Sequence, residues 1–371
     1  MYIDNISLVN FRNYDNLTLK LKQGINIIYG NNAQGKTNLL ESIYVLALTK
    51  SHRSFIDNNL IKNNKDISKI EGNIFINKMK NNFKIIIGNK TKKLKIDNNE
   101  IKKISDYISR LNIIIFYPED LDLIKGSPNI RRRFLNSELS QLNNKYLNIL
   151  GEYNKILKMR NDYIKLIFEE KTSDYKYFNI LTDYLIEKAI QIYQYRNNFI
   201  TQLNNISSNI FKNISSIDGF NIKYKNSIKF DNYDSEEIRK KLKNYYNKNF
   251  EREIKFKTTL IGPHRDDFEF YIENFNLKNY GSQGQQRMSI LAIKLAEIEI
   301  FYETKKEYPI LLLDDVFSEL DDQKKNNLLN YIKDNIQTII TTTDLKNIDE
   351  SIINKSKLIE IKNGKITKEV N

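Results

Sequence analysis

From Gly24 the chain reads GINIIYGNNAQGKTNLLESIYVLAL, and Gly30 to Thr37 carries the spacing G-x-x-x-x-G-K-[ST]. The context constrains the fold more than the motif does. Ile25, Ile27 and Ile28 make a short apolar strand before the glycines, while Leu39, Leu40, Ile43, Leu46 and Ala47 recur at helical spacing after them. Strand, glycine loop and helix in that order is the arrangement that phosphate binding requires. Glycine permits backbone angles that turn successive N–H groups inward, and a helix N-terminus favours an anion. The loop Gly30, Asn31, Asn32, Ala33, Gln34, Gly35 is then expected to wrap phosphates, with Lys36 reaching the β- and γ-phosphates and Thr37 ligating Mg²⁺.

A nucleotide site of this kind needs a second strand that ends in carboxylates, and YPILLLDD from Tyr308 supplies one. Ile310 to Leu313 suits a central parallel strand buried on both faces, and ligands in open α/β sheets lie at the carboxyl ends of such strands. Asp314 is the expected Mg²⁺ partner, directly or through water. Asp315 is either the group that polarises the attacking water or an ordinary strand end leading into a helix cap. Between the two motifs, Ser282, Gln283, Gly284 and Gln285 open a largely apolar helix, with Ser282 as its N-cap. A second anion-binding terminus is redundant within one chain unless it serves another molecule's nucleotide, which points to a dimer.

Composition narrows the class further. The 371 residues contain no cysteine and only His52 and His264, so disulfide scaffolds, thiol nucleophiles and Cys/His zinc sites are excluded. The start has no cationic segment leading into an apolar core, and no apolar run approaches the ~18 to 20 residues that span a bilayer. A soluble, cytoplasmic chain without membrane partners is expected. The net charge of +13 suits nucleic acid, but its 47 Lys outnumber its 12 Arg, so the scarce arginines mark where planar, bidentate donors are needed.

Together these segments resemble the ABC-type ATPase heads of the SMC and Rad50 group, with Ser282 to Gln285 in the place of the signature motif and Asp314 to Asp321 in that of the Walker B strand and D-loop. More specifically, the chain resembles the RecF family of recombination mediators over nearly its whole length. That likeness rests on Asn10 to Tyr14, Gly30 to Asn38, Ser51-His52-Arg53, Pro118 to Leu121, Lys125 to Pro128, Arg131 to Leu135, Gly262 to Asp267, Gly281 to Gln285 and Thr341 to Asp344. It implies an α/β fold, an ABC-type P-loop head with a mixed sheet and an inserted helical arm or lid. It also implies an ATP-dependent homodimer that clamps DNA at gaps or junctions, with RecO- and RecR-like mediators as partners, and a place in recombinase loading, replication and the SOS response. Arg12 is by resemblance a nucleotide contact and otherwise a surface residue.

Departures from the general ABC pattern accompany the likeness. Asp315 stands one methylene short of the usual catalytic Glu, and Thr342 and Thr343 follow a late strand where a switch His is usual, so only weak, DNA-dependent ATP hydrolysis is expected. A transporter ATPase subunit shares the phosphate loop and signature, but the helical insertion and the Gly262 to Asp267 segment weigh against it. A Rad50-like tether needs a longer arm.

Periodicity divides the chain into an N-terminal lobe over 1–125, a helical insertion over 126–250 and a C-terminal lobe over 251–371. Two helical runs, from about Asn129 to Glu170 and from about Ser173 to Ile214, predict an antiparallel arm, and alternation in Ile70 to Ile76 and Phe83 to Ile87 predicts an antiparallel sheet. Arg131, Arg132 and Arg133 are open between phosphate contacts and a solvated helix end. An internal ion-pair network is expected around His264, Arg265, Asp266 and Asp267.

Overall fold

A computed structural model describes residues 1–54, 56–316, 325, 328, 332, 335–346 and 348–370. The chain forms two compact units, one of residues 1–120 with 290–371 and one of residues 121–289.

The first unit carries two six-stranded sheets. The first sheet runs Tyr14–Lys20, Tyr2–Phe11, Ile67–Ile76, Met79–Gly88, Thr91–Ile96 and Asn99–Glu100, every pair antiparallel. The second runs Lys365–Val370, Lys357–Lys362, Ile25–Tyr29, Thr338–Thr342, Ile310–Asp314 and Ile113–Phe116, parallel except for its first, hairpin-connected edge. Ile310–Asp314 is buried at every position, as a central parallel strand must be. The helix Lys36–Leu48 packs against both sheets, and Leu39, Leu40, Ile43, Val45, Leu46, Ala47 and Leu48 are all buried. A helix apolar around most of its circumference needs such a two-sided cover. Gln337 ties the sheets together: its Oε1 accepts from the Ile3 N–H at 2.7 Å and its Nε2 donates to the carbonyls of Ile3 and Lys22 at 2.8 and 2.9 Å.

The second unit is built on three long helices, Pro128–Leu142, Asn144–Phe168 and Tyr175–Ser215. The first expected helical run is two helices, because Asn143 is extended (φ −147°) and its side chain caps the next helix by accepting from the Lys145 N–H. The second run is continuous for 41 residues, about 60 Å at 1.5 Å per residue, and starts where the Asp174 carboxylate caps Lys176 and Tyr177. The insertion is not wholly helical. Phe220–Lys225, Asp267–Ile272 and Phe275–Asn276 form a three-stranded antiparallel sheet. The second unit spans 121–289, and within it Asp267–Ile272 pairs with Phe220–Lys225. No helix among the described residues is long and apolar enough to cross a membrane.

Candidate nucleotide site

In the first unit the loop after Ile25–Tyr29 contains three left-handed residues, Gly30 (φ 147°), Ala33 (φ 63°) and Gly35 (φ 112°), before the helix begins at Lys36. The two glycines are required by space as well as by angle. A Cβ on Gly30 would meet the Ile361 carbonyl oxygen at 2.4 Å, and one on Gly35 would meet Asn13 Nδ2 at 2.6 Å and Tyr14 Oη at 2.8 Å. Neighbouring elements hold the loop in shape. Tyr14 Oη donates to the Gly35 carbonyl at 2.9 Å, the Gly364 N–H donates to the Gln34 carbonyl at 3.0 Å, and the Asn363 N–H donates to Gln34 Oε1. Gly35 provides no side-chain cap, so the first N–H groups of the helix meet no capping side chain of their own.

Lys36 is buried and folds back along this loop, its Nζ donating to the carbonyls of Gly30 at 2.6 Å and Asn31 at 2.9 Å. Burial lowers its pKa, and the charges of Asp315 and Asp314 act in the opposite direction. Asp314 ends its strand with Oδ1 accepting from Thr37 Oγ1 at 3.0 Å and from Thr341 Oγ1 at 2.7 Å. Its pKa is raised by burial, although both hydroxyls and Arg53 pull the other way. The Asp315 backbone is left-handed (φ 53°), and its N–H reaches both the carbonyl and the hydroxyl of Thr341, at 3.2 and 3.0 Å.

These residues fit Mg²⁺. Two ligands on one edge of an octahedron at about 2.0–2.1 Å from Mg²⁺ stand about 3.0 Å apart, and the Thr37 hydroxyl and Asp314 carboxylate are 3.0 Å apart. Among the described residues no group of three or more His, Cys, Asp or Glu could hold a metal.

Arg12 lies near the start of this site but is already paired. Its Nε and Nη2 donate to the two oxygens of Glu41 at 2.8 and 2.7 Å, and Nη1 donates to the Asn59 carbonyl at 2.7 Å. Glu41 is fully buried one helical turn after Thr37 and also accepts from Ser51 Oγ, so its pKa stays low in spite of burial. Sequence reasoning missed Glu41. Its signal was a lone acid among apolar helix positions, which demands a buried cation. Arg53 donates to Asn38 Oδ1 at 3.2 Å, and His52 lies between the rings of Tyr44 and Tyr117.

In the second unit the signature-like segment is a capping box. The Gln285 N–H donates to Ser282 Oγ at 3.2 Å while the Ser282 N–H donates to Gln285 Oε1 at 2.9 Å, and the helix Gln283–Lys305 follows. Ser282, Gln283 and Gly284 are exposed. Of the arginine triplet, Arg131 is an internal group. It is buried, forms a two-point ion pair with Asp267 at 2.6 and 2.9 Å, and donates to the carbonyls of Leu123 and Gly126. Arg132 donates to the Asp266 carbonyl, and Asp266 accepts from Tyr224 Oη and the Ser227 N–H. Of the expected ion-pair network, the pair formed is Arg131 with Asp267, whereas the Asp266 carboxylate is held by hydrogen bonds from Tyr224 and Ser227. Phe317 to Asp321, where the D-loop is expected, lie outside the described residues.

Both histidines are held neutral. His264 faces the Thr259 carbonyl through Nε2 at 3.3 Å, so that nitrogen carries the proton and Nδ1 accepts from Tyr153 Oη at 2.6 Å. Burial pushes His264 and His52 down to about 4. Between about pH 6.5 and 4 the unfolded chain therefore binds protons that the native chain refuses, and stability falls with falling pH, by up to about 3 kcal/mol for each histidine. Asp120, raised to about 6 by burial, works in the opposite direction between pH 6 and 3.8 and offsets part of the loss. Urea midpoints at pH 5 are expected below those at pH 7. His264→Phe should flatten that dependence; an unchanged slope would assign it to other groups.

The RecF/RecN/SMC N-terminal domain family matches residues 2–367. The chain is 42% identical over 374 residues to the DNA replication and repair protein RecF of Bacillus subtilis (strain 168), covering 99% of this chain and 100% of that protein. It is equally 42% identical over 370 residues to the RecF protein of Staphylococcus aureus (strain JH9), again across 99% and 100% of the two chains. Among solved structures, the recombination mediator protein RecF with ATP superposes with a TM-score of 0.93 at 33% identity, covering 100% of this chain and 98% of that one. An Smc head domain derived from Pyrococcus furiosus shares the fold at a TM-score of 0.55 and 15% identity, covering 100% and 96%. With this likeness along its full length, and with the phosphate loop, its lysine and the paired hydroxyl and carboxylate all in place, the chain belongs to the RecF family of DNA replication and repair proteins.

Proposed function

We propose that this protein binds ATP and Mg²⁺ on its first unit and uses the nucleotide to close a homodimer on DNA during recombinational repair. The observation that carries the nucleotide half is the convergence of Lys36, Thr37 and Asp314 beyond the carboxyl ends of Ile25–Tyr29 and Ile310–Asp314, the two parallel strands that flank Thr338–Thr342. The loop and helix terminus bind the phosphates, Lys36 exchanges its two loop carbonyls for phosphate oxygens, and Thr37 and Asp314 hold the ion. When bound, Mg²⁺ would neutralise charge on the phosphates. Asp315 orients water, and its short side chain keeps turnover slow. Ser282 to Gln285 face the nucleotide of a second copy, for which the exposure of Ser282, Gln283 and Gly284 at a helix N-terminus is suited. A ligand that binds the closed state more tightly than the open one shifts the population toward closure.

The net charge supports the DNA half by its location. The inserted unit holds 28 Lys plus Arg against 20 Asp plus Glu, a net +8, whereas the first unit holds 31 against 26, a net +5. The excess is thus concentrated in the smaller unit, which favours a polyanion there. The related RecF solved with ATP is described as part of the RecFOR pathway, and RecO- and RecR-like mediators are the partners proposed here by kinship.

Two measurements test this reading. DNA affinity with ATP present should fall by about 10³-fold or more between 50 and 200 mM salt, as about six phosphate contacts require; affinity indifferent to salt would remove the DNA role. Ser282→Arg should leave ATP binding by the monomer intact and block ATP-dependent dimerisation. If the variant monomer loses ATP, the signature segment acts within its own chain and the trans arrangement fails.

A further inference from the structure

Thr341 opens the Thr341 to Asp344 segment and stands beside the carboxylate strand. Strand Thr338–Thr342 runs parallel to Ile310–Asp314 with Thr341 in register beside Asp314, and Thr341 is almost completely buried there. Its hydroxyl has one proton and two lone pairs. The proton goes to Asp314 Oδ1 at 2.7 Å, since the Leu313 carbonyl stands farther away at 3.4 Å. A lone pair accepts the Asp315 N–H at 3.0 Å, and the Thr341 carbonyl accepts the same N–H at 3.2 Å. One residue therefore grips both acids, one by its carboxylate and the other by its backbone. Asp315 adopts a left-handed conformation (φ 53°) that non-glycine residues rarely hold without such restraint.

We infer that Thr341 is the positioning residue of the catalytic acids, its hydroxyl setting the orientation of Asp314 toward Thr37 and holding the Asp315 turn. Thr37 Oγ1 and Thr341 Oγ1 converge on the same carboxylate oxygen. Once Thr37 turns its oxygen toward an ion, Thr341 is the side chain that still fixes Asp314. It supplies by a hydroxyl, from the strand next door, an orientation that would otherwise depend on a free-rotating carboxylate, as the outer partners of metal ligands commonly do. The inference rests on the proposed nucleotide site and extends it by one residue.

The test uses the full chain with Thr341→Val, which keeps the branched shape and loses the hydroxyl, and Thr341→Ser, which keeps the hydroxyl and loses the methyl. A fluorescent ATP analogue is titrated in EDTA and then across a Mg²⁺ series, and binding of Mn²⁺ with a non-hydrolysable analogue is followed by electron paramagnetic resonance. For Thr341→Val, nucleotide affinity in EDTA should remain within about 2-fold of wild type, while the half-saturating Mg²⁺ and the Mn²⁺ dissociation constant rise by about 10- to 100-fold. The hydrolysis kcat should fall by a similar factor with little change in KM, and Thr341→Ser should recover most of each loss. Thr338→Val, at the start of the same strand, should leave the Mg²⁺ titration unchanged. A wild-type Mg²⁺ curve in Thr341→Val, or Thr341→Ser as impaired as Thr341→Val, overturns the inference. If Thr341→Val does not fold, Thr341→Ala is read on the same scale. Wild-type protein that binds no ATP in either condition overturns the nucleotide reading itself, and with it this extension.

Discussion

Glu253→Ala should destabilise the inserted unit by about 3–5 kcal/mol, a large share of the roughly 5–15 kcal/mol that keeps an ordinary domain folded. Glu253 and Arg160 are both fully buried and joined at 2.6 Å. The guanidinium spends every nitrogen on a partner: Nη2 on Glu253, Nε on Thr182 Oγ1 at 2.9 Å and Nη1 on Thr259 Oγ1 at 2.7 Å. Its plane lies between the rings of Phe178 and Tyr246, 4.7 and 4.6 Å from their centroids. Glu253 Oε1 also accepts from the Leu260 N–H at 2.9 Å, which fixes the chain leading to Gly262. Removing the carboxylate strands a cation with no water to solvate it, and that penalty exceeds the worth of the pair itself. The sign of the comparison follows. Arg160→Met combined with Glu253→Leu should cost less than Glu253→Ala alone, because no charge is then left buried. Thermal and urea unfolding of the three proteins decide it, and a double variant worse than the single would show that the pair contributes net stability.

That pair also shows where sequence reading stops. The scarcity of arginine correctly marked positions needing a planar donor, but it could not separate a ligand contact from an internal one. Arg131 meets Asp267 across 136 residues, and Arg196 meets the Pro263 carbonyl across 67. Nothing local distinguishes such a partner from a phosphate. The phosphate loop was legible because its chemistry is contiguous: glycines, lysine and threonine act within one turn of chain. Asp314 was legible because an apolar run buried on both faces has few ways to end in an acid. Thr341 was quoted only as part of a motif, since its role depends on register between neighbouring strands. The small sheet of the inserted unit was hidden for a related reason. Phe220–Lys225 and Asp267–Ile272 are six residues each and more than forty apart, so neither announces its partner, and periodicity does not encode the pairing.

Lys36→Ala should abolish ATP-dependent dimerisation and weaken ATP binding by about 100-fold or more, since contacts from a charged donor are worth about 1.5–3 kcal/mol each and this ammonium is placed to make two. The geometry explains why the loss falls on binding rather than on folding. Nζ now rests on the Gly30 and Asn31 carbonyls, at 2.6 and 2.9 Å, in a loop whose Asn31, Asn32 and Ala33 are exposed to water. Those carbonyls can be hydrated when the ammonium is gone. The loop itself is held from outside by Tyr14, Asn363 and Gly364, none of which depends on Lys36. The variant should therefore melt close to wild type while losing its response to nucleotide. Lys36→Arg keeps the charge but places a broad fork where a compact ammonium sits buried, so it should recover little. Light scattering with and without ATP reads the oligomer, and calorimetry reads the binding. A Lys36→Ala protein that still dimerises when ATP is added would disconnect assembly from this site and sink the nucleotide switch.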